Sequence, residues 1–246
     1  MFRSSNPVFT KMNNDNGAIL QSAPMTVNGT IGKAFLLILI ALVAGAAVLY
    51  EAIQGYTDKV MTIMTIALFG GLVTGLVAVF VKKLTKYFAP IYAFCEGALL
   101  TGVSLMLEAQ FPGIAVQAVV GTMFAFLVML ILYRVGLIKA TEKFRSVLMT
   151  AMVAILLIYL VNLVGMFFNF SIPFVNGSGH MGILFSGIVV AIAALNLILD
   201  FDFIEQGQAN MLPKDFEWYG AFGLMVTLVW LYIEILRLLA KLRGRD

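Results

Sequence analysis

The chain has 246 residues, 61% hydrophobic and 12% charged, with 16 Lys and Arg against 13 Asp and Glu for a net charge of +3. Soluble domains are about one-quarter charged; so few charges cannot clothe a soluble surface, and a mean hydropathy of +0.99 makes lipid the solvent for most of the chain. The same figures exclude intrinsic disorder and nucleic-acid binding, and the single cysteine, Cys95, excludes a disulfide-built secreted fold.

Residues 1–31 read as a polar leader, with Asn13, Asn14, Asp15, Asn16 and Gly17 among them and no apolar run of signal-peptide length. It is expected to be a cytoplasmic tail, loosely ordered or packed on the remainder, which leaves 32–246 as one membrane domain. Seven apolar segments follow: Lys33–Tyr50, Val60–Val81, Phe88–Leu107, Gly113–Tyr133, Ser146–Phe168, Met181–Phe203 and Phe216–Leu239. A spanning helix needs roughly 20 residues, at about 1.5 Å each, to cross a core of about 30 Å. Barrel strands would be about half that length and strictly alternating, so the expected class is an all-α seven-helix membrane bundle.

Basic residues in short loops set orientation. With the N-terminus inside, Arg3, Lys11, Lys33, Lys82, Lys83, Lys86, Arg134, Lys139, Lys143, Arg145 and Lys214 fall on the inner side. Between helices, the outer side holds Lys59. Arg237, Lys241, Arg243 and Arg245 near the end break the pattern: seven full crossings give 11 bases inside and 5 outside, whereas a last helix returning to the inner face gives 15 and 1. The charge rule therefore favours an inner N-terminus and questions whether the last segment crosses completely.

Four acids lie deep inside apolar segments, where an ionisable group costs at least about 2.5–3.5 kcal/mol on insertion scales and is functional or paired. Asp200 and Asp202 stand in Asn196-Leu-Ile-Leu-Asp-Phe-Asp-Phe-Ile-Glu205, near the inner end of the sixth segment. Helical spacing puts Asn196 with Asp200, and Asp202 with Glu205. Carboxylates close enough to share a proton suppress one another's ionisation, so the cluster can bind a cation or change charge with pH. The plainer reading has them solvated at headgroup level or paired with Lys82, Lys83 or Lys86. Glu96, about two turns into the third segment, shares a face with Tyr92 and is either a pore carboxylate or a hydrogen-bonded tie between helices. Glu234 has Arg237 three residues on, so an intrahelical pair is the preferred reading.

Gly71-Leu-Val-Thr-Gly75 permits close helix approach, with intramolecular packing the expectation. The single histidine, His180, lies in an outer loop where solvation is expected, and one such side chain does not make a metal site. No GxSxG, HExxH or P-loop lysine motif occurs; no catalysis, cofactor or bound metal is expected.

Several stretches resemble the YccA/Bax inhibitor family of multi-pass membrane proteins, in its bacterial branch. They are Arg3-Ser-Ser-Asn-Pro-Val-Phe9, Ala89-Pro-Ile-Tyr-Ala-Phe-Cys-Glu-Gly97, Glu108-Ala-Gln-Phe-Pro-Gly113, Ala194-Leu-Asn-Leu-Ile-Leu-Asp-Phe-Asp-Phe-Ile-Glu-Gln-Gly207, Glu217-Trp-Tyr-Gly-Ala-Phe-Gly223 and Leu231-Tyr-Ile-Glu-Ile-Leu-Arg237. The resemblance implies a seven-helix fold with the last helix central, residence in the bacterial inner membrane, and a pH-sensitive cation leak, calcium being the usual ion. In relatives an acid late in the sixth helix pairs with an acid in the seventh as the pH sensor. Asp200 or Asp202 matches the first acid; the second falls near Thr227, which cannot ionise, and Glu234 lies about two turns beyond.

Three functions are carried forward from the sequence. One is a leak for cations, calcium or protons, gated at Asp200 and Asp202, with Glu96 and Glu234 as further acids of the path and Lys82, Lys83 or Arg134 as latch partners. Another is a non-transporting modulator of a membrane protease or stress-response complex, docking through leader and basic tail. The third is a structural membrane protein whose acids only stabilise packing.

Overall fold

The computed structural model describes residues 23–168, 170 and 172–244; most of the leader, with Arg3 and Lys11, and Arg245 lie outside them. Among the described residues, seven helices are long and apolar enough to cross a membrane. They are α1 (Val27–Ile53), α2 (Thr57–Phe80), α3 (Thr85–Gln110), α4 (Ile114–Arg134), α5 (Glu142–Phe167), α6 (His180–Ala209) and α7 (Phe216–Arg243). A short 3-10 turn, Lys82–Leu84, leads into α3, and a four-residue helix, Pro173–Asn176, precedes α6. The protein is an all-α integral membrane bundle.

Local sequence explains where the helices start. Thr26 caps α1 by accepting from the Gly29 amide at 3.0 Å, and Thr141 caps α5 through the Phe144 amide at 3.3 Å, each filling an orphan donor of a first turn. The α3–α4 turn needs Gly113 at φ 83, a left-handed conformation that a Cβ disfavours. Glu108 accepts from the Gly113 amide and from Ala115 N at 3.0 Å, anchoring the start of α4. Helix α1 begins at Val27, so the final residues of the expected leader already belong to the first span.

Packing separates two regions. On one side α3 lies against α1 and α2. Small residues allow the approach: a Cβ on Gly97 would run into the Ala41 backbone, and Gly71 and Gly75 sit against Glu96 and Tyr92. The GxxxG pattern thus serves the α2–α3 contact within the chain. On the other side α6 and α7 pack along their lengths, with α4 against both. Helix α7 also touches α1 and α3 and is the most buried span. Helix α5 stands apart: its substantial helix contact is with α6, and Val147, Leu156, Leu160 and Leu163 face outward.

The ends of α7 identify the two faces of the bundle. Near its start, Glu217 accepts from Thr26 N and Thr26 Oγ1, both at 3.0 Å, and Met25 N donates to Leu212 O at 2.7 Å. Near its end, Lys241 Nζ donates to Gly182 O at 3.2 Å and Arg243 Nη1 to Pro112 O at 2.7 Å. The last helix therefore traverses the whole bundle, from the face holding the start of α1 to the face holding the α3–α4 turn. The charge rule pointed the other way because it counts these bases as free. Lys241 is buried against carbonyls, and Arg237 is paired with Glu234 at 3.2 Å. Cations at a helix C-terminus also suit its dipole.

Candidate functional site

The sixth and seventh helices run antiparallel, and their facing positions carry polar groups. Asn196 Nδ2 donates to Thr227 Oγ1 at 3.1 Å in a buried setting. The Asp200 carboxyl lies one turn nearer the face of the α6–α7 turn, beside the same hydroxyl. Its Oδ1 lies 3.8 Å from where a Cβ on Gly223 would stand, so glycine leaves room for the acid. Asp200 Oδ2 is buried with no hydrogen-bond partner. No ion pair involves Asp200 among the described residues.

Asp202 belongs to a different site. Two residues at about 100° each turn it to the far side of α6, where Arg145 of α5 forms its ion pair and Gln206 donates at 2.8 Å. The expected two-aspartate cluster is therefore divided: Asp200 faces α7 and Asp202 faces α5. Asp202 does share a surface with Glu205, as the three-residue spacing implies. Together they line a cavity of about 310 Å³ with Tyr133, Gly136, Lys139 and Thr141, and Tyr133 donates to Glu205. The basic residues singled out as latch partners lie elsewhere. Lys82 sits over the Phe216 and Tyr219 rings at 5.8 and 5.4 Å, and Lys83 and Arg134 are exposed. Arg145, placed among the loop bases by sequence, is the residue that meets Asp202.

Glu234 is almost fully buried on α7. Tyr159 of α5 donates to it at 3.0 Å from either carboxylate oxygen, and Arg237 donates at 3.2 Å while lying 4.8 Å from the centre of the Tyr159 ring. The intrahelical pair exists, and it also ties the outlying α5 to the bundle. Glu96 points toward α2, with Gly71 beside it and Tyr92 one turn earlier on the same face. None of the four acids joins another directly. Among the described residues no group of three His, Cys, Asp or Glu is arranged to hold a metal ion.

A sequence model of the family described as Bax inhibitor 1 like matches residues 6–244, nearly the whole chain. The chain belongs to the Bax inhibitor 1-like family. Comparisons with curated proteins and with solved structures give no match. In this Bax inhibitor 1-like protein, Asp200 is the acid of the sixth helix that faces the seventh, beside Gly223 and Thr227.

Sequence reasoning passed over Glu217. It is 1% exposed, accepts from Thr26 twice and pairs with Lys33. It lies one residue into the last apolar segment, away from the four acids singled out for their depth. The available signal was Gly29 with Thr26 and Lys33 upstream: a Cβ on Gly29 would strike the Glu217 carboxylate, but that meeting of distant segments is a tertiary fact.

Proposed function

We propose that this Bax inhibitor 1-like protein is a pH-sensitive cation leak, with calcium as the permeant ion, in the bacterial inner membrane with its N-terminus in the cytoplasm. Asp200 is the gating residue and α7 the central helix. Catalysis forms no part of this reading. The observation that carries it is the Asp200 carboxyl in the α6–α7 seam, with one oxygen sealed and unpartnered and a neutral Thr227 opposite. An intramembrane acid without a base beside it marks ion or proton pathways more often than it stabilises packing. Gain or loss of charge there alters the cost of holding α6 on α7. Asp202 is a supporting residue, because its charge is already balanced by Arg145.

Calcium flux into proteoliposomes at two pH values tests this. Wild-type protein should leak at rates that differ with pH. Asp200→Asn should remove most of that difference, and Asp202→Asn should alter it less. Unchanged pH-dependent flux in both variants rejects the gating assignment, and absence of flux from folded wild-type protein rejects the leak.

A further inference from the structure

The cavity of about 310 Å³ between the end of α4, the α4–α5 loop and the end of α6 plays no part in the leak reading. It lies on the face that holds the start of α1: Gln208, three residues beyond Glu205, accepts from Val27 N at 2.7 Å. Here the spans end and lipid headgroups begin. Local sequence shapes the cavity. Gly136 turns the chain out of α4 at φ 72, a left-handed conformation that suits glycine. The Leu137 amide closes that turn on Leu132 O at 3.0 Å, and Thr141 then caps α5. Tyr133 is held by Phe201, their ring centres 5.8 Å apart.

Both signs of charge line this cavity without neutralising each other. Asp202 is matched by Arg145, and Gln206 bonds the same carboxylate oxygen, Oδ2. Glu205 takes one neutral bond, from Tyr133, on Oε2. Among the described residues, neither Glu205 nor Lys139 forms an ion pair. Lys139 is nonetheless drawn back along the loop, its Cε 3.6 Å from where a Cβ on Gly136 would stand. The hydrogen bonds to the two acids leave Asp202 Oδ1 and Glu205 Oε1 open. The cavity therefore offers carboxylate oxygens from α6 and one ammonium from the loop. That arrangement complements a molecule carrying a cation and an anion a few bonds apart.

The surroundings point to the bilayer as the source of such a molecule. Ile131 and Val135 at the end of α4, Leu137 in the loop and Val147 at the start of α5 are exposed apolar side chains near the same level. Helix α5 rests chiefly on α6, so α4 and α5 keep apolar surface for acyl chains. At about 310 Å³ the cavity is at the small end of ligand pockets, roughly 300–1,000 Å³. It has room for a headgroup, with the chains left in the membrane.

We propose that this cavity binds the headgroup of phosphatidylethanolamine, its ammonium received by Glu205 and Asp202 and its phosphate by Lys139. A primary ammonium has three N–H donors for the open carboxylate oxygens. Choline has none, and phosphatidylglycerol has no cation to set against Glu205. Arg145 positions Asp202. The site does not depend on the leak reading.

Lipid retention by the full chain in detergent, followed by native mass spectrometry, tests this. Dioleoyl phosphatidylethanolamine, phosphatidylcholine and phosphatidylglycerol are supplied at equal mole fractions. The wild type should retain the ethanolamine lipid at least about fivefold over either of the others, the worth of one charge-assisted hydrogen bond. Glu205→Gln keeps an oxygen for Tyr133 and should bring the ethanolamine lipid down to the level of the choline lipid. Lys139→Ala, in the exposed loop, should lower retention of the ethanolamine lipid at least about threefold, and is the deciding variant if Glu205→Gln loses its thermal transition. Glu51→Gln, near the opposite end of α1, should behave as the wild type. Equal retention of ethanolamine and choline lipids overturns the proposal, as does strongest retention of phosphatidylglycerol or an unchanged preference in the deciding variant. Free phosphoethanolamine bound by delipidated protein as tightly as the lipid assigns the cavity to a soluble ligand and overturns the lipid site.

Discussion

Replacing Glu217 by alanine should loosen the clasp between the start of α1 and the start of α7. The carboxylate accepts from Thr26 N and Thr26 Oγ1 at 3.0 Å each and pairs with Lys33. Side-chain hydrogen bonds in membrane proteins average about 0.6 kcal/mol and reach about 1.7. Bonds to charged acceptors in proteins generally are worth roughly 1.5–3 kcal/mol. Lys33 is 19% exposed and can turn toward the headgroups, so its pair belongs at the weak end, roughly 0–1 kcal/mol. The two Thr26 bonds at about 1 kcal/mol each, plus that remainder, give a loss of about 2–3 kcal/mol. For a chain of this size that corresponds to a fall of roughly 5–10 °C in the unfolding midpoint.

The assay is thermal unfolding in detergent followed by tryptophan fluorescence. Trp218 lies beside the clasp, with Lys33 Nζ 5.5 Å from its ring centre. Glu217→Gln keeps a carbonyl oxygen for Thr26 and loses the charge facing Lys33, so it should cost less than half as much as alanine. A shift below about 1 °C for alanine, or glutamine as damaging as alanine, refutes the assignment of the stability to the Thr26 bonds.

Three other outcomes follow from the geometry. Gly97→Leu should cost about 3 kcal/mol of stability, the upper end of overpacking costs, because the neighbour it meets is the Ala41 backbone rather than a yielding side chain; Gly32→Ala, with nothing within 4 Å of the added carbon, should unfold with the wild type in the same thermal assay. Tyr159→Phe removes the hydroxyl that links α5 to Glu234 and should cost about 1 kcal/mol, with α5 more readily cleaved by protease than the other helices; unchanged stability and cleavage refute the tie. Cysteines at Lys83 and Leu242, in a Cys95→Ser background, should react with a membrane-impermeant thiol reagent from opposite sides of sealed vesicles, and labelling from one side refutes a fully traversing last helix.

Much of the bundle was legible because lipid imposes a length. All seven apolar segments became helices of spanning length, since an unpaired backbone group in hydrocarbon costs more than any side-chain preference returns. The spacing rule placed Asn196 and Asp200 on one face and Asp202 and Glu205 on another, and the structure has both pairings. Treating Asp200 and Asp202 as one cluster failed because nearness in sequence is not nearness around a helix. The arginine that meets Asp202 comes from α5, 57 residues earlier, and no local pattern distinguishes Arg145 from the other bases of the inner loops.

The low charge content and the rows of apolar residues determined by themselves that this chain is a helical membrane protein, because the solvent must match the surface. They also determined which acids were exceptional. Tertiary packing alone decided what each acid faces: Glu217 meets Lys33 and Thr26, Asp202 meets Arg145, Glu234 meets Tyr159, and Asp200 is left with a threonine. It also decided that the basic tail ends opposite the start of α1, where backbone carbonyls receive Lys241 and Arg243. A charge count records how many bases a segment carries; whether a carbonyl or a carboxylate is waiting for them depends on which helices come together.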